Sequence, residues 1–320
     1  MEYNRRGVPW RQLGRQLGRQ LEGGMRNHLM ARKSGSTRRG VLRSGLAAAS
    51  AFWLMGLSSF ESLFIPSKKL WERWIEHNPY APATIDHGRW DETLARYLLV
   101  GDDGINRFDY ENVPEAGLKA LQAYVKSLES IPISRYSKEQ QLAYWVNLYN
   151  AATVAIVLEH YPVASIRDID ISPGFFGVGP WGKKLFMIEG EEVSLNDIEH
   201  RIVRPIWPDP RLHYALNCAA IGCPNLQPQA FSADRMEEML SAAARAFVNS
   251  PRAVWRTEDG IAVSSLYAWF EEDFGGDDAG VLAHLRSHAG PERLELLAGV
   301  SRIADHAYDW ALNGTTLPKS

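Results

Sequence analysis

SKEQQLAYWVNLYNAATVAIVLEHY, residues 137–161, carries apolar side chains on nearly every side when wound at 3.6 residues per turn. Such a helix has no face to offer water, so it belongs at the centre of a domain. Its start is marked by Ser137 and Gln140, which stand in the Ser-x-x-Gln relation of a capping box. Asn147 and Asn150 interrupt it, on a stripe that also takes in Glu139, Ala143 and Val154. Asn is a poor helix former, and a buried amide without partners costs about 1–3 kcal/mol. Either the pair pins a neighbouring loop by side-chain to backbone hydrogen bonds, or it serves chemistry directly.

Shorter elements flank this helix on both sides. Upstream, Ser67 is placed to cap a short helix through Trp71 and Trp74, and His77 to Pro82 is a proline-punctuated linker. Asp91 opens a helix through Leu94 and Leu98, residues 105–110 alternate as a strand, and Pro114 begins a helix reaching about Leu128. Downstream, Pro173, Gly174, Gly177, Gly179 and Pro180 mark a loop before the hairpin KLFMIEGEEVSL, residues 184–195. Ser194 and Asp197 start a helix that carries Glu199 and His200, and RLHYALN, residues 211–217, reads as a strand. Ser232 caps a helix with Met236, Leu240 and Phe247 on its core face. A second hairpin, AVWRTEDGIAVSS, leads to a helix begun by Ser265 and another near Val281 to Arg286. The expected class is α+β: a helix-rich single domain with a central buried helix and antiparallel β-hairpins, a papain-like arrangement being one form of it.

The chain has 320 residues, 45% of them hydrophobic and 11 of them Trp, which is enough for a sizeable core and excludes disordered and collagenous classes. Its net charge of −3 averages two unlike parts. Residues 1–43 hold 11 Lys or Arg against Glu2 and Glu22, a net of +9, and the remainder holds 24 basic and 36 acidic residues, a net of −12. Thr37-Arg38-Arg39-Gly40-Val41-Leu42-Arg43 precedes a charge-free run from Ser44 to Phe60 and resembles a twin-arginine export signal. That resemblance implies a Tat translocase partner through Arg38 and Arg39 and a periplasmic destination. The run of 17 uncharged residues sits at the lower edge of the ~17–25 that span a bilayer, so residues 44–60 are either a cleaved signal or an inner-membrane anchor. Upstream, the RQLG repeat of residues 11–21 sets Arg and Leu on separate helical faces, as a membrane-surface helix does, or precedes a later start at Met25 or Met30. The expected division is a leader over 1–60, a linker with a short helix over 61–85, the domain over 86–314 and a tail over 315–320.

Six blocks of the body resemble the family known as domain of unknown function 547, in the same order. They are Phe108-Asp109-Tyr110, residues 139–151, residues 194–200, residues 213–220, Cys223-Pro224, and residues 308–313. Ala220 stands where that family more often has Ser. The resemblance implies a domain over about 86–314 and brings no reaction, substrate or cofactor with it.

Candidate chemistry therefore comes from residue types. Cys218 with an imidazole at His200 or His213 and an amide at Asn147 or Asn150 has the ingredients of a thiol nucleophile, base and orienter, with Asn217 as an oxyanion donor. On an extended 213–218 segment His213 and Cys218 face opposite sides, ~16 Å apart, so His200 is the preferred base. Such a site would act as a hydrolase or acyl transferase on a small molecule or peptide. Cys218 and Cys223 are the only cysteines, and in an oxidising compartment they pair as a disulfide, which makes the same residues a closed structural knot in a non-catalytic envelope-binding or scaffold module. A zinc site from both cysteines and both histidines fits no recognised spacing. No cofactor is called for, since the glycines precede a strand and not a helix start, and no basic, aromatic surface calls for nucleic acid.

Overall fold

The computed structural model describes residues 66–173 and 178–315. The twin-arginine segment, the Ser44 to Phe60 run, the RQLG repeat, Gly174, Gly177 and the final five residues lie outside the described residues. Besides a single helical turn at Arg204–Ile206, the α-helices among the described residues are α1 (Gly88–Tyr97), α2 (Glu115–Glu129), α3 (Lys138–His160), α4 (Met236–Val248), α5 (Ser265–Trp269), α6 (Asp278–His288) and α7 (Pro291–Leu296). The strands are short: β1 (Leu98–Leu99) with β2 (Arg107–Phe108), β3 (Lys184–Ile188) with β4 (Glu191–Ser194), and β5 (Val254–Thr257), β6 (Gly260–Ser264) and β7 (Asp305–Ala307). The first two pairs and β5–β6 are antiparallel, and β7 adds to β6 in parallel. This is a helix-rich α+β domain, as expected from the pattern of elements.

The 137–161 segment folds as the long central helix. Ser137 caps α3 by accepting from the Gln140 N–H, and every residue from Gln141 to Val157 is buried. The larger core forms around α3, where Trp74 packs edge-on against Trp145 with centroids 5.1 Å apart. A second core gathers Phe247 of α4, Val254 and Val263 of the hairpin, Tyr267 of α5 and Leu285 of α6. No helix among the described residues is long and apolar enough to cross a membrane.

Several local expectations change: the 105–110 strand shortens to Arg107–Phe108, and Ser232 makes no side-chain cap. Ser67 does not begin a helix. A 3₁₀ turn runs from Glu72 to Ile75, and the Lys69 and Trp71 N–H groups donate to the carbonyls of His200 and Arg201. Residues 69–75 thus lie against the domain with Trp74 buried, while Leu70 and Ile75 stay exposed. RLHYALN is not a strand: Pro210 at the first turn and the Asp209 carboxylate on the Arg211 N–H start a 3₁₀ helix over Pro210–Tyr214. A local cap and a pre-set φ override the alternation of side chains. The helix that carries Glu199 and His200 is wound as a π-helix over Asp197–Val203, a rare form often found at functional sites. Its capping pair is present, with Ser194 Oγ donating to Asp197 Oδ2 at 2.6 Å and accepting from the Asp197 N–H.

The C-terminal segment acts as a strap. After β7 it returns across the front of the domain, where the Ile221 and Gly222 N–H groups donate to the Ala311 and Asp309 carbonyls. Asn313 N–H donates to the Ala219 carbonyl, and Phe108 N–H donates to the Asn313 carbonyl.

Candidate functional site

The two Asn residues of α3 are occupied by backbone. Asn147 Nδ2 donates to the Phe231 carbonyl at 2.7 Å, and its Oδ1 accepts from the Phe231 N–H at 2.9 Å. Asn150 repeats the arrangement one turn on, donating to the Ala215 carbonyl and accepting from the Asn217 N–H, both at 2.8 Å. Asn217 in turn holds the cysteine loop at both ends, its Nδ2 on the Pro224 carbonyl and its Oδ1 on the Ala219 N–H. These amides are the pegs that position loops 215–224 and 230–231 against the central helix.

His200 and His213 come together with each other and with an ion-pair network. His200 Nδ1 accepts from Arg204 Nη1 at 3.0 Å, which leaves the proton on Nε2. His213 Nε2 lies 2.8 Å from Asp273 Oδ2, and Arg204 Nε and Lys68 Nζ donate to the same carboxylate. Both rings stack on Phe270, at centroid distances of 6.0 and 4.2 Å. Burial pushes His200 down to about 4 and also lowers His213, whose bond to Asp273 pulls the other way. In both rings burial favours the neutral form. Burial alone would raise Asp273, but the bonds from His213, Lys68 and Arg204 outweigh it and hold the carboxyl far below its usual range. None of the hydrogen bonds found for either imidazole reaches Cys218.

Cys218 lies in a different setting. Its Sγ is 2.12 Å from Cys223 Sγ, a disulfide bonding distance. Cys223 is 3% exposed, whereas Cys218 is only half-buried. The Cys218 N–H donates to Cys223 Sγ at 2.8 Å, and the Tyr308 hydroxyl lies 3.1 Å from each sulfur. Ala219, next in the chain, has φ of 59°, a left-handed conformation uncommon for Ala. Tyr308 begins a cluster of half-buried rings: Trp269 at 4.7 Å, Trp310 at 4.7 Å and, beyond Trp310, Trp181 at 6.0 Å. Arg167 lies 4.9 Å over the Trp310 ring. Tyr149 Oη donates to Glu199 Oε2 at 2.9 Å and accepts a hydrogen bond from Trp181, so the π-helix carboxylate is joined to the aromatic cluster. Among the described residues no three His, Cys, Asp or Glu side chains form a group that could hold a metal ion.

Residues 133–248 match the family model for DUF547, a protein of unknown function. The DUF547 match supports the resemblance carried by the central blocks. It spans α3, the π-helix, the cysteine loop and α4, while Asp273, Trp269, Tyr308 and Trp310 come from beyond it. No curated protein and no solved structure matches the chain.

The six residues singled out from sequence therefore fall into two places. Cys218, Asn150 and Asn217 meet at the cysteine loop, with Asn147 one turn away on α3, and His200 and His213 meet at Asp273. Sequence reasoning missed Tyr149, Trp181, Trp269, Tyr308 and Trp310 as a group. Tyr308 and Trp310 stood within a quoted block, and their alternate spacing is the one signal that would set both on one side of an extended strap.

Proposed function

We propose that this is an exported envelope protein that acts by binding. In this reading the Cys218–Cys223 loop and the Asn pegs build a rigid seat, and the ring cluster of Trp181, Trp269, Tyr308 and Trp310 is the recognition surface. The observation that carries it is the state of the polar groups. The amides of Asn147, Asn150 and Asn217 are bonded to backbone, and His200 and His213 are bonded to Arg204 and Asp273. A papain-like relay would need an open disulfide and an imidazole brought across to Cys218. The rings, by contrast, are part-exposed, and the buried Trp269 indole N–H has no hydrogen-bond acceptor among the described residues. Large aromatic side chains with a polar tip are suited to binding, since they offer area at little conformational cost.

The ligand that suits this surface is a small molecule or peptide with a flat apolar face and a donor for Glu199. Export by the twin-arginine route, with Arg38 and Arg39 read by the translocase, is part of the same proposal. It is supported by the motif over residues 37–43 and by a cysteine pair at bonding distance, which suits an oxidising periplasm. Residues 44–60 would hold the protein at the inner membrane if uncleaved.

A thermal-shift screen of envelope-derived sugars, amines and short peptides tests the binding reading. Compounds that raise the melting temperature of the wild-type chain should lose the effect in Trp269→Ala and Trp310→Ala variants that keep their far-ultraviolet spectra. Equal responses in wild type and both folded variants would overturn it. Fractionation of cells carrying Arg38→Lys/Arg39→Lys tests the route, and unchanged periplasmic recovery would rule it out.

A further inference from the structure

We propose that Cys218–Cys223 is a redox-active disulfide that exchanges with a dithiol partner through Cys218 Sγ. The two sulfurs are unequal: Cys223 is 3% exposed and Cys218 is half-buried, so an incoming thiolate can approach one of them. Attack on Cys218 Sγ forms a partner–Cys218 bond and breaks the bond to Cys223, whose sulfur leaves with the electron pair. That sulfur already has what a departing thiolate needs. The Cys218 N–H donates to it at 2.8 Å and the Tyr308 hydroxyl lies 3.1 Å away. The half-buried Arg252 guanidinium is bonded to the Cys223 carbonyl at 2.7 Å, adding positive potential beside the loop. A better-stabilised leaving thiolate leaves faster.

The partner's second thiolate then attacks the partner's own sulfur in the mixed disulfide and releases Cys218 as a thiolate. Two electrons pass to the protein, the partner dithiol becomes a disulfide, and the two cysteines end as thiols with protons that the partner and solvent supply. The reverse sequence, with a partner disulfide, restores the starting state.

The loop is built to survive the opened state. Asn217 ties residues 219 and 224, the Ile221 and Gly222 N–H groups are tied to the strap, and Arg252 spans the Ile221 and Cys223 carbonyls. None of these bonds uses the S–S link, so the sulfurs stay close enough to close again. The proposal rests on the cysteine loop and does not depend on what the ring cluster binds.

The test treats the full chain with dithiothreitol without denaturant, quenches with iodoacetamide at intervals and maps the modified residue by mass spectrometry. The expected result is reduction with retained far-ultraviolet signal and Cys218 modified first. Reduced protein given oxidised glutathione should form a transient adduct on Cys218, which accumulates in Cys223→Ser. Tyr308→Phe keeps the ring and removes the hydroxyl, and should slow reduction about tenfold, the effect of losing one charge-assisted hydrogen bond. In Cys218→Ser it should also raise the pH at which the Cys223 thiolate appears by ultraviolet absorbance, which a merely structural role would not do. Reduction only in denaturant, loss of fold on reduction, or first modification at Cys223 would each overturn the proposal, and the wild-type measurement stands even where a variant fails to fold.

Discussion

Asn147 shows how one side chain can set the position of a loop. It sits at zero exposure inside the central buried helix, and both of its hydrogen-bonding ends meet the backbone of Phe231. Replacing it by Ala orphans a buried carbonyl and a buried N–H, each costing about 1–3 kcal/mol. Asn147→Ala should therefore lower stability by ~3 kcal/mol, read as a drop in urea midpoint at unchanged slope. A loss below ~1 kcal/mol would mean that water or a shifted loop satisfies those groups. That two buried Asn needed partners was legible from their place in an apolar helix. Their partners were not, because Phe231 and Ala215 lie 84 and 65 residues away.

At the scale of elements, the helices and hairpins follow local pattern, and the departures have local causes. Apolar periodicity and a Ser cap place α3, and a Glu-Gly turn places β3–β4, where Glu189 takes a φ of 48° and Gly190 one of 88°. Pro210 and the Asp209 cap make a 3₁₀ helix where alternation suggested a strand, and this sets His213 toward Asp273. The cysteine loop and the strap approach each other closely. A Cβ on Gly222 would lie 2.8 Å from Asp309 N and 3.0 Å from Asp309 O, both backbone atoms that cannot rotate away. Gly222→Ala should push the strap outward and cost ~1–3 kcal/mol, as overpacking does. Because Tyr308 and Trp310 flank Asp309, tryptophan fluorescence should shift in the same variant. An unchanged emission spectrum and midpoint would contradict a close backbone contact between Gly222 and the strap.

At the scale of the whole molecule, imidazoles that are buried, as His87 and His200 are, or half-buried, as His284 is, give a common response to acid. Burial, the largest effect on each, pushes His87, His200 and His284 down to about 4. Their folded values lie below the ordinary one near 6.5, so the unfolded chain binds more protons between these limits and stability falls as pH drops through that window. Near pH 5 the difference is about two to three protons, each worth about 1.4 kcal/mol per pH unit. The depressed Asp273 carboxyl acts in the same direction, its contribution present above about pH 4 and lost below it. Denaturant unfolding measured from pH 7 to about pH 4 should show this slope, and His200→Gln should remove about one proton from it. A pH-independent midpoint across that range would contradict the neutral, buried state of these rings.

Composition, periodicity and caps were sufficient for the α+β class, for a buried α3 and for the hairpins, since each is a property of residues within a few turns of one another. They also singled out Cys218 and the Asn pegs as unusual, because polar groups in apolar surroundings demand partners. Only the tertiary structure decided which groups meet. It bonded the imidazoles to Arg204 and Asp273, placed the two sulfurs at bonding distance, and laid Tyr308 across them from 90 residues downstream. Those choices depend on long-range backbone pairing of the strap with the cysteine loop, and no local pattern encodes a contact between segments so far apart in the chain.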